Sequence, residues 1–192
     1  NSLRLANQGL EGNMERLASG KRVNSAADDA AGLAIGSRME AKIRGQEVGI
    51  RNSNDAISAV QTAESARGSL ESIMQRMRSL AVQAVNGTNT GTDRESLDKE
   101  YQALMEEITH ISTETNFNSV DLLNSAGETL TVQLSDVSGD KMDIDLVGVL
   151  PADLGLDRTY LTGANETQAE AAITALDGAI NDVAEHRADF GA

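Results

Sequence analysis

The sequence predicts a mainly α fold carrying one β-hairpin, arranged as an elongated antiparallel helical bundle. Three observations lead there. Apolar residues recur at three- and four-residue steps through a proline-free stretch much longer than one ordinary helix. Aromatic residues make up only 2% of the chain, so the core has to be built from Leu, Ile, Val, Met and Ala in thin helix-on-helix seams. The period then switches once from helical to alternating, between about residues 128 and 148.

In chain order, Leu10, Met14 and Leu17 step by four and three, and Gly20 can end that helix because glycine accepts the left-handed conformation. Asn24 or Ser25 is placed to cap the next helix, with Asp28 and Asp29 in its first turn facing the positive end of the helix dipole. A long helix is expected from about 34 to 85. Its later half carries Leu70, Ile73, Met77, Leu80 and Ala84, and its earlier half carries Ile43, Ile50 and Ile57 seven apart, then Val60, Ala63 and Ala66. That is a heptad-like stripe. A helix of roughly 50 residues would run about 75 Å. Gly45, Gly49 and Gly68 each weaken it by about 1 kcal/mol relative to alanine, so it depends on packing partners.

Residues 86–91 form a turn cluster, after which Thr92 and Glu95 have the spacing of a capping box. The second helix, about 93–113, carries Leu97, Tyr101, Leu104, Ile108 and Ile111 and should fold back antiparallel on the first. Leu130, Val132 and Leu134 alternate with polar residues, as do Met142, Ile144 and Leu146, and the residues between them make the turn of a hairpin at about 128–148. Pro151, the only proline, marks a loop. From about 166 to 190, Ala169, Ile173, Leu176, Ile180 and Val183 form a last amphipathic helix.

Charge and composition remove several functions. A net charge of −14 opposes nucleic-acid binding, which needs a basic face, and suits a protein kept soluble at high concentration. Without cysteine there is neither a disulfide framework nor a thiolate zinc site. No apolar run reaches the roughly 18 residues of a membrane span, and residues 1–20 lack the apolar segment of a secretory signal. The chain starts without Met and stops at Phe190-Gly191-Ala192 with helical periodicity still running, and it reads as a fragment trimmed at both ends.

Arg16-Leu17-Ala18-Ser19-Gly20-Lys21-Arg22-Val23-Asn24-Ser25-Ala26-Ala27-Asp28-Asp29-Ala30-Ala31-Gly32-Leu33-Ala34-Ile35 resembles the amino-terminal region of bacterial flagellin. Further matching stretches are Ser53 to Ser58, Gln75 to Ala84, Thr115 to Asn118 and Asp143 to Leu146. The likeness covers most of residues 10–157 and, more weakly, 173–192. It implies that residues 1–20 end the helix of the inner tube, 21–33 are a connecting spoke with Asn24, Ser25, Asp28 and Asp29 as its motif, and 34–192 are a core domain. At most a small insertion, Pro151 to Thr167, would stand where other flagellins carry outer domains. The implied function is a structural subunit that polymerises into the flagellar filament for swimming motility. It would lie outside the cell, exported without a cleavable signal peptide. Partners implied are other copies of the chain, a secretion chaperone, cap proteins and an innate immune receptor of the Toll-like class. A hook-filament junction adaptor and a flagellin-like cell-surface binding module are the alternatives.

By the same resemblance, a surface of subunit contact and receptor recognition falls on Gln75, Arg76, Leu80 and Gln83, with Glu100 from the following helix. Ser79 stands where the family often has glutamate. No residue pattern calls for catalysis, a cofactor or a metal. Glu107 and His110 have the spacing of a carboxylate di-iron motif but lack a second such pair, so His110 reads as an exposed helical histidine. His186 has Val183 where a glutamate would be needed. Ser96 and Lys99 lack the companion motifs of a Ser-x-x-Lys enzyme. Asp136, Asp140, Asp143 and Asp145 lack the glycine and terminal glutamate of a calcium loop. Gly20-Lys21 follows Glu15 rather than the glycine of a phosphate loop. Arg38, Lys42 and Arg44 form a basic patch without aromatic anchors and read as a solvated face or an inter-subunit contact.

Overall fold

The computed structural model describes residues 2–124, 128–163 and 166–191. Its helices are α1 (Ser2–Ser19), α2 (Ala26–Val85), α3 (Gly91–Glu114) and α4 (Thr167–Gly191), and its strands are β1 (Asn116–Phe117), β2 (Val120–Asp121), β3 (Glu128–Gln133) and β4 (Lys141–Leu146). The architecture is mainly helical with two small two-stranded sheets, β1-β2 and β3-β4. The chain divides into two compact units. One holds Asn1–Asn52 with Gln133–Asp140, the other Ser53–Val132 with Lys141–Ala192.

In the first unit, Gly20 takes φ +65 just beyond α1, as a C-terminal glycine should. The long helix begins in two stages rather than at residue 34. The backbone N–H groups of Asn24 and Ser25 donate to Asp28 Oδ2 at 3.3 and 3.1 Å. Asp29 then leaves the helix (φ −164, ψ 93), and its Oδ1 accepts from the Gly32 N–H at 2.8 Å. Asp29 is therefore itself the N-cap of the long segment, in the extended conformation that caps adopt. Farther along, residues 133–136 of the hairpin tip lie on α2 at Gly45 and Gly49, and Asn52 Nδ2 donates to Gln133 O at 3.0 Å.

The heptad stripe on the early part of α2 is left uncovered. Ile43 and Ile50 in the first unit are 55% and 63% exposed, and Ile57 in the second is 53% exposed. Periodicity puts them on one face, but no partner helix covers that face among the described residues. In the second unit the buried seam of α2 runs through Ala59, Ala63, Arg67, Leu70, Met74, Met77, Ala81 and Ala84. It meets Tyr101 and Ile108 of α3 and Leu176, Ala179 and Val183 of α4. Both neighbours run antiparallel to α2. Arg94 and Glu100 of α3 contact Ala84 and Arg76, and on α4 Asp177 meets Arg78 while Arg187 meets Glu71 and Glu64.

The cap of α3 is two residues earlier than the Thr92 and Glu95 pattern suggests. Thr90 is the N-cap: its N–H and Oγ1 donate to Asp93 Oδ2 at 2.9 and 2.7 Å, and Asp93 N–H donates back to Thr90 Oγ1 at 3.3 Å. Both pairs satisfy the spacing, and the earlier one wins by placing Gly91 and Thr92 inside the first turn. The bonds from Thr90 hold the Asp93 carboxyl below its ordinary range, and Arg78 does the same for Asp177. Groups with lowered folded pKa values add stability above the unfolded value of 3.8 and lose it as pH falls through their lower folded values. Acid titration followed by circular dichroism is expected to hold the helical signal down to about pH 4 and lose it below. Asp93→Asn is expected to shift that loss.

The chain between α3 and β3 makes a hairpin that periodicity cannot reveal. Phe117 pairs with Val120, and both turn residues, Asn118 (φ 50) and Ser119 (φ 65), are left-handed, the geometry of a type I′ turn. Serine is a poor occupant there. Ser119→Gly is expected to raise stability by about 0.5–1 kcal/mol, read as a higher thermal midpoint.

In the β3-β4 hairpin, Thr129 donates to Asp145 and Thr131 to Asp143 at 3.1 and 2.6 Å, which fixes an antiparallel register with these four on one face. Residues after Pro151 are core rather than insertion. Leu154, Leu156 and Leu161 are buried. Tyr101 Oη shares a hydrogen bond with Thr159 Oγ1 at 2.7 Å, and Leu161 N–H donates to Asp98 Oδ1 at 2.6 Å. Residues 164–165 of that stretch lie outside the described residues.

Candidate assembly and recognition surface

The face of α2 that contains Gln75 and Gln83 is set by its opposite side. Met74, Met77, Ala81 and Ala84 are buried against α3 and α4, so Gln75, Arg76, Ser79, Val82 and Gln83 point outward. Arg76 Nε and Nη2 donate to Glu100 Oε1 at 3.0 and 2.6 Å, which brings the sequence-derived α3 residue to the same surface. Gln75 Nε2 reaches Glu71 Oε1 at 3.2 Å. The backbone carbonyl of Gln83 accepts from Asn89 Nδ2 at 2.6 Å, tying the end of α2 to the turn that follows.

Leu80 does not join them. Only 2% of it is exposed, because the three-residue step from Met77 carries it onto the seam. The apolar group of the outer face is Val82, 50% exposed, which sequence reasoning passed over although it lies one turn from Ser79 and two from Gln75. The Arg76–Glu100 pair is itself well exposed, 57% and 46%, so water screens it and it contributes at most about 1 kcal/mol to folding. What it supplies is a paired donor and acceptor set in a fixed place, with Val82 as the apolar contact beside it.

The spoke residues form a second node, within the first unit. Asp28 accepts from Asn24 N–H, Ser25 N–H and Ser25 Oγ, and Arg16 Nη2 of α1 reaches its Oδ1 at 3.2 Å. These bonds, the backbone donors of Asn24 and Ser25 first, hold the Asp28 carboxyl below its usual range. Asn24 Nδ2 donates to Glu15 Oε1 at 2.9 Å. The node therefore clips the last turn of α1 to the start of α2. Around it stand exposed apolar side chains: Leu10, Met14 and Leu17 on α1 and Leu33, Ile35 and Met39 on α2. Such a density of exposed aliphatic surface marks a contact region.

The remaining chemistry candidates are placed apart. His110 is exposed on α3, and His186 Nδ1 is 3.9 Å from Asp189. Ser96 Oγ donates to Thr92 O along its own helix. Asp143 and Asp145 are engaged by threonines. Arg44 of the basic patch pairs with Glu40 at 2.6 Å. Among the described residues no three His, Asp or Glu side chains form a metal-binding group, and no helix is long and apolar enough to cross a membrane.

Comparison with known proteins agrees with this picture. The family profile of the bacterial flagellin N-terminal helical region matches residues 1–128. A flagellin of Halalkalibacterium halodurans is 44% identical over 97% of this chain and 68% of its own length. One of Listeria innocua is 38% identical over 99% and 71%. The crystal structure of Bacillus cereus flagellin superposes with a TM-score of 0.64 at 44% identity, covering 73% of this chain and 81% of that one. A Vibrio parahaemolyticus protein described as flagellar hook-associated shares the fold alone, with a TM-score of 0.69 at 14% identity over 87% of this chain and 88% of that one.

Proposed function

The chain belongs to the bacterial flagellin family, the structural subunits of the flagellar filament, and from that premise we propose which of its surfaces do the work of assembly. The observation that carries the proposal is the row of exposed aliphatic side chains on α1 and early α2, Leu10 to Ile50, which a lone soluble chain has no reason to display. Self-polymerisation buries such surface between copies. Contacts that join different patches of one subunit do not close on themselves and so build an open helical array. The spoke motif, Asn24, Ser25, Asp28 and Asp29, holds α1 in the orientation the contact needs. Arg76, Glu100, Gln75, Gln83 and Val82 form a lateral contact that is also the surface offered to a Toll-like receptor. Leu80 supports it from within.

The same reading places the protein outside the cell, exported with the help of a flagellar secretion chaperone and added beneath cap proteins. It assigns no enzymatic activity, cofactor, nucleic-acid binding or membrane insertion. The test is seeded growth of the full-length protein from filament fragments, watched by electron microscopy. Ile43→Asp with Ile50→Asp is expected to abolish elongation and leave the second unit folded. Arg76→Ala with Glu100→Ala is expected to change the thermal midpoint by less than about 1 kcal/mol equivalent while weakening both lateral assembly and receptor signalling. Full-length protein that adds only a few copies to seeds would place it at the hook-filament junction, and saturable glycan binding without elongation would make it a cell-surface binding module.

A further inference from the structure

Arg67 is the least expected buried group of the second unit. It has no exposed surface. Its Nη2 donates to the Val147 carbonyl at 2.8 Å, and the Phe190 ring lies 4.6 Å from its Cζ. Nε and Nη1 are buried without a partner, a state that native proteins rarely tolerate and that calls for an explanation. Beside this side chain lies a half-enclosed cavity of about 670 Å³, within the size range of small-molecule sites.

The walls state what fits. Ile57, Val60, Met142 and Ile144 offer aliphatic surface, and Arg67 supplies the cation. Asp189 also lines the cavity, while the carboxylates of Asp143 and Asp145 accept from Thr131 and Thr129 on the face of β4 opposite Met142 and Ile144. A multiply charged anion such as a phosphate is therefore disfavoured beside Asp189, whereas a single negative charge is balanced by the guanidinium. A cationic guest would face Arg67, and a purely apolar one would leave its N–H groups unsatisfied.

We propose that this cavity binds a small aliphatic monocarboxylate, whose carboxylate accepts from the unpartnered N–H groups of Arg67 and whose chain lies against Ile57, Val60, Met142 and Ile144. Entry requires Phe190, half-buried in the last turn of α4, to swing off the guanidinium that it covers. Phe190 is thus both cover and reporter.

The test is titration of the 192-residue chain, carrying labelled methyl groups and a labelled Phe190 ring, with sodium octanoate, followed by nuclear magnetic resonance. Saturable shifts of the Ile57, Val60, Met142 and Ile144 methyls and of the Phe190 ring are expected. Arg67→Met should weaken binding by roughly 10- to 100-fold, with methyl signals far from the cavity unchanged to show that the variant folds. Arg67→Lys should retain part of the affinity. Absence of saturable shifts, an unchanged affinity in Arg67→Met, or equal binding of octan-1-ol would each overturn the proposal.

Discussion

Arg67→Met is expected to make the second unit more stable, by about 1–2 kcal/mol, and Arg67→Ala to make it less stable by about 2–4 kcal/mol. Burial pushes the Arg67 guanidinium down to about 10, while Asp189 nearby acts weakly in the other direction. A folded pKa below the unfolded one means that the native state disfavours the charged form. The penalty is present throughout the neutral range and is relieved only as pH rises past about 10. On the usual conversion it is on the order of 3 kcal/mol. Removing the charge also removes the bond to the Val147 carbonyl, worth about 1 kcal/mol, and the contact with the Phe190 ring, worth up to about 1 kcal/mol. A net gain remains when methionine fills the volume. Alanine leaves a hole and reverses the sign. Thermal unfolding at neutral pH gives both values, with shifts of a few degrees up and several down. A loss on Arg67→Met equal to that of Arg67→Ala would mean that the guanidinium is well satisfied where it lies. The advantage of Arg67→Met should shrink as pH is raised past 10, because the wild-type side chain then sheds its charge.

Arg67 also shows what the sequence holds and what a quick reading of it misses. Ala63, Arg67, Leu70 and Met74 step by four, three and four, which puts Arg67 squarely on the seam. A single charge in a helix is ordinarily taken for a solvated one, so the spacing goes unused. Helical spacing was enough to find α2, α3 and α4, since their apolar positions face each other in the second unit. It was not enough for Ile43, Ile50 and Ile57, because periodicity says which residues share a face and is silent about whether a partner occupies it. Leu80 and Val82 exchange roles for a related reason: a motif shared with a family identifies a stretch of helix, while these two residues stand about 200° apart around it, and the packing partners decide which of them meets solvent. The turn at Asn118-Ser119 carries no glycine to announce two left-handed residues. At the start of α3 the sequence signature of a capping box is Thr92 with Glu95, and the closure of the preceding turn puts the cap at Thr90 with Asp93 instead.

Gly49→Ala is expected to do the opposite of what glycine replacement in a helix ordinarily does. Within an unencumbered helix the change stabilises by about 1 kcal/mol, and Gly36→Ala, where a Cβ would meet nothing within 4 Å, should show that gain. At Gly49 a Cβ would overlap the carbonyl oxygen of Leu134 and come within 2.6 Å of its carbon, and at Gly45 it would overlap the Cβ of Asp136. The two glycines are four residues apart on one helix face, so together they make a flat seat on which the backbone of the hairpin tip lies in contact with the backbone of α2. Asn52, one turn further along, closes the seat by its bond to the Gln133 carbonyl. A methyl group at position 49 meets backbone, which has nowhere to go without lifting residues 133–136, and overpacking of this kind costs about 1–3 kcal/mol. Gly45→Ala meets the Cβ of Asp136, which is fixed to the backbone with its Cα 3.1 Å from the added methyl, so it should destabilise as well. Amide hydrogen exchange gives the local readout. In Gly49→Ala protection of the Leu134 N–H, which donates to Asp140 O at 2.9 Å, should fall together with that of its neighbours in 133–140, whereas Gly36→Ala should leave it unchanged. If Gly49→Ala gains stability as Gly36→Ala does, the tip is not seated on this face, and the two glycines in the middle of α2 are the simple weak points that their intrinsic propensity suggests.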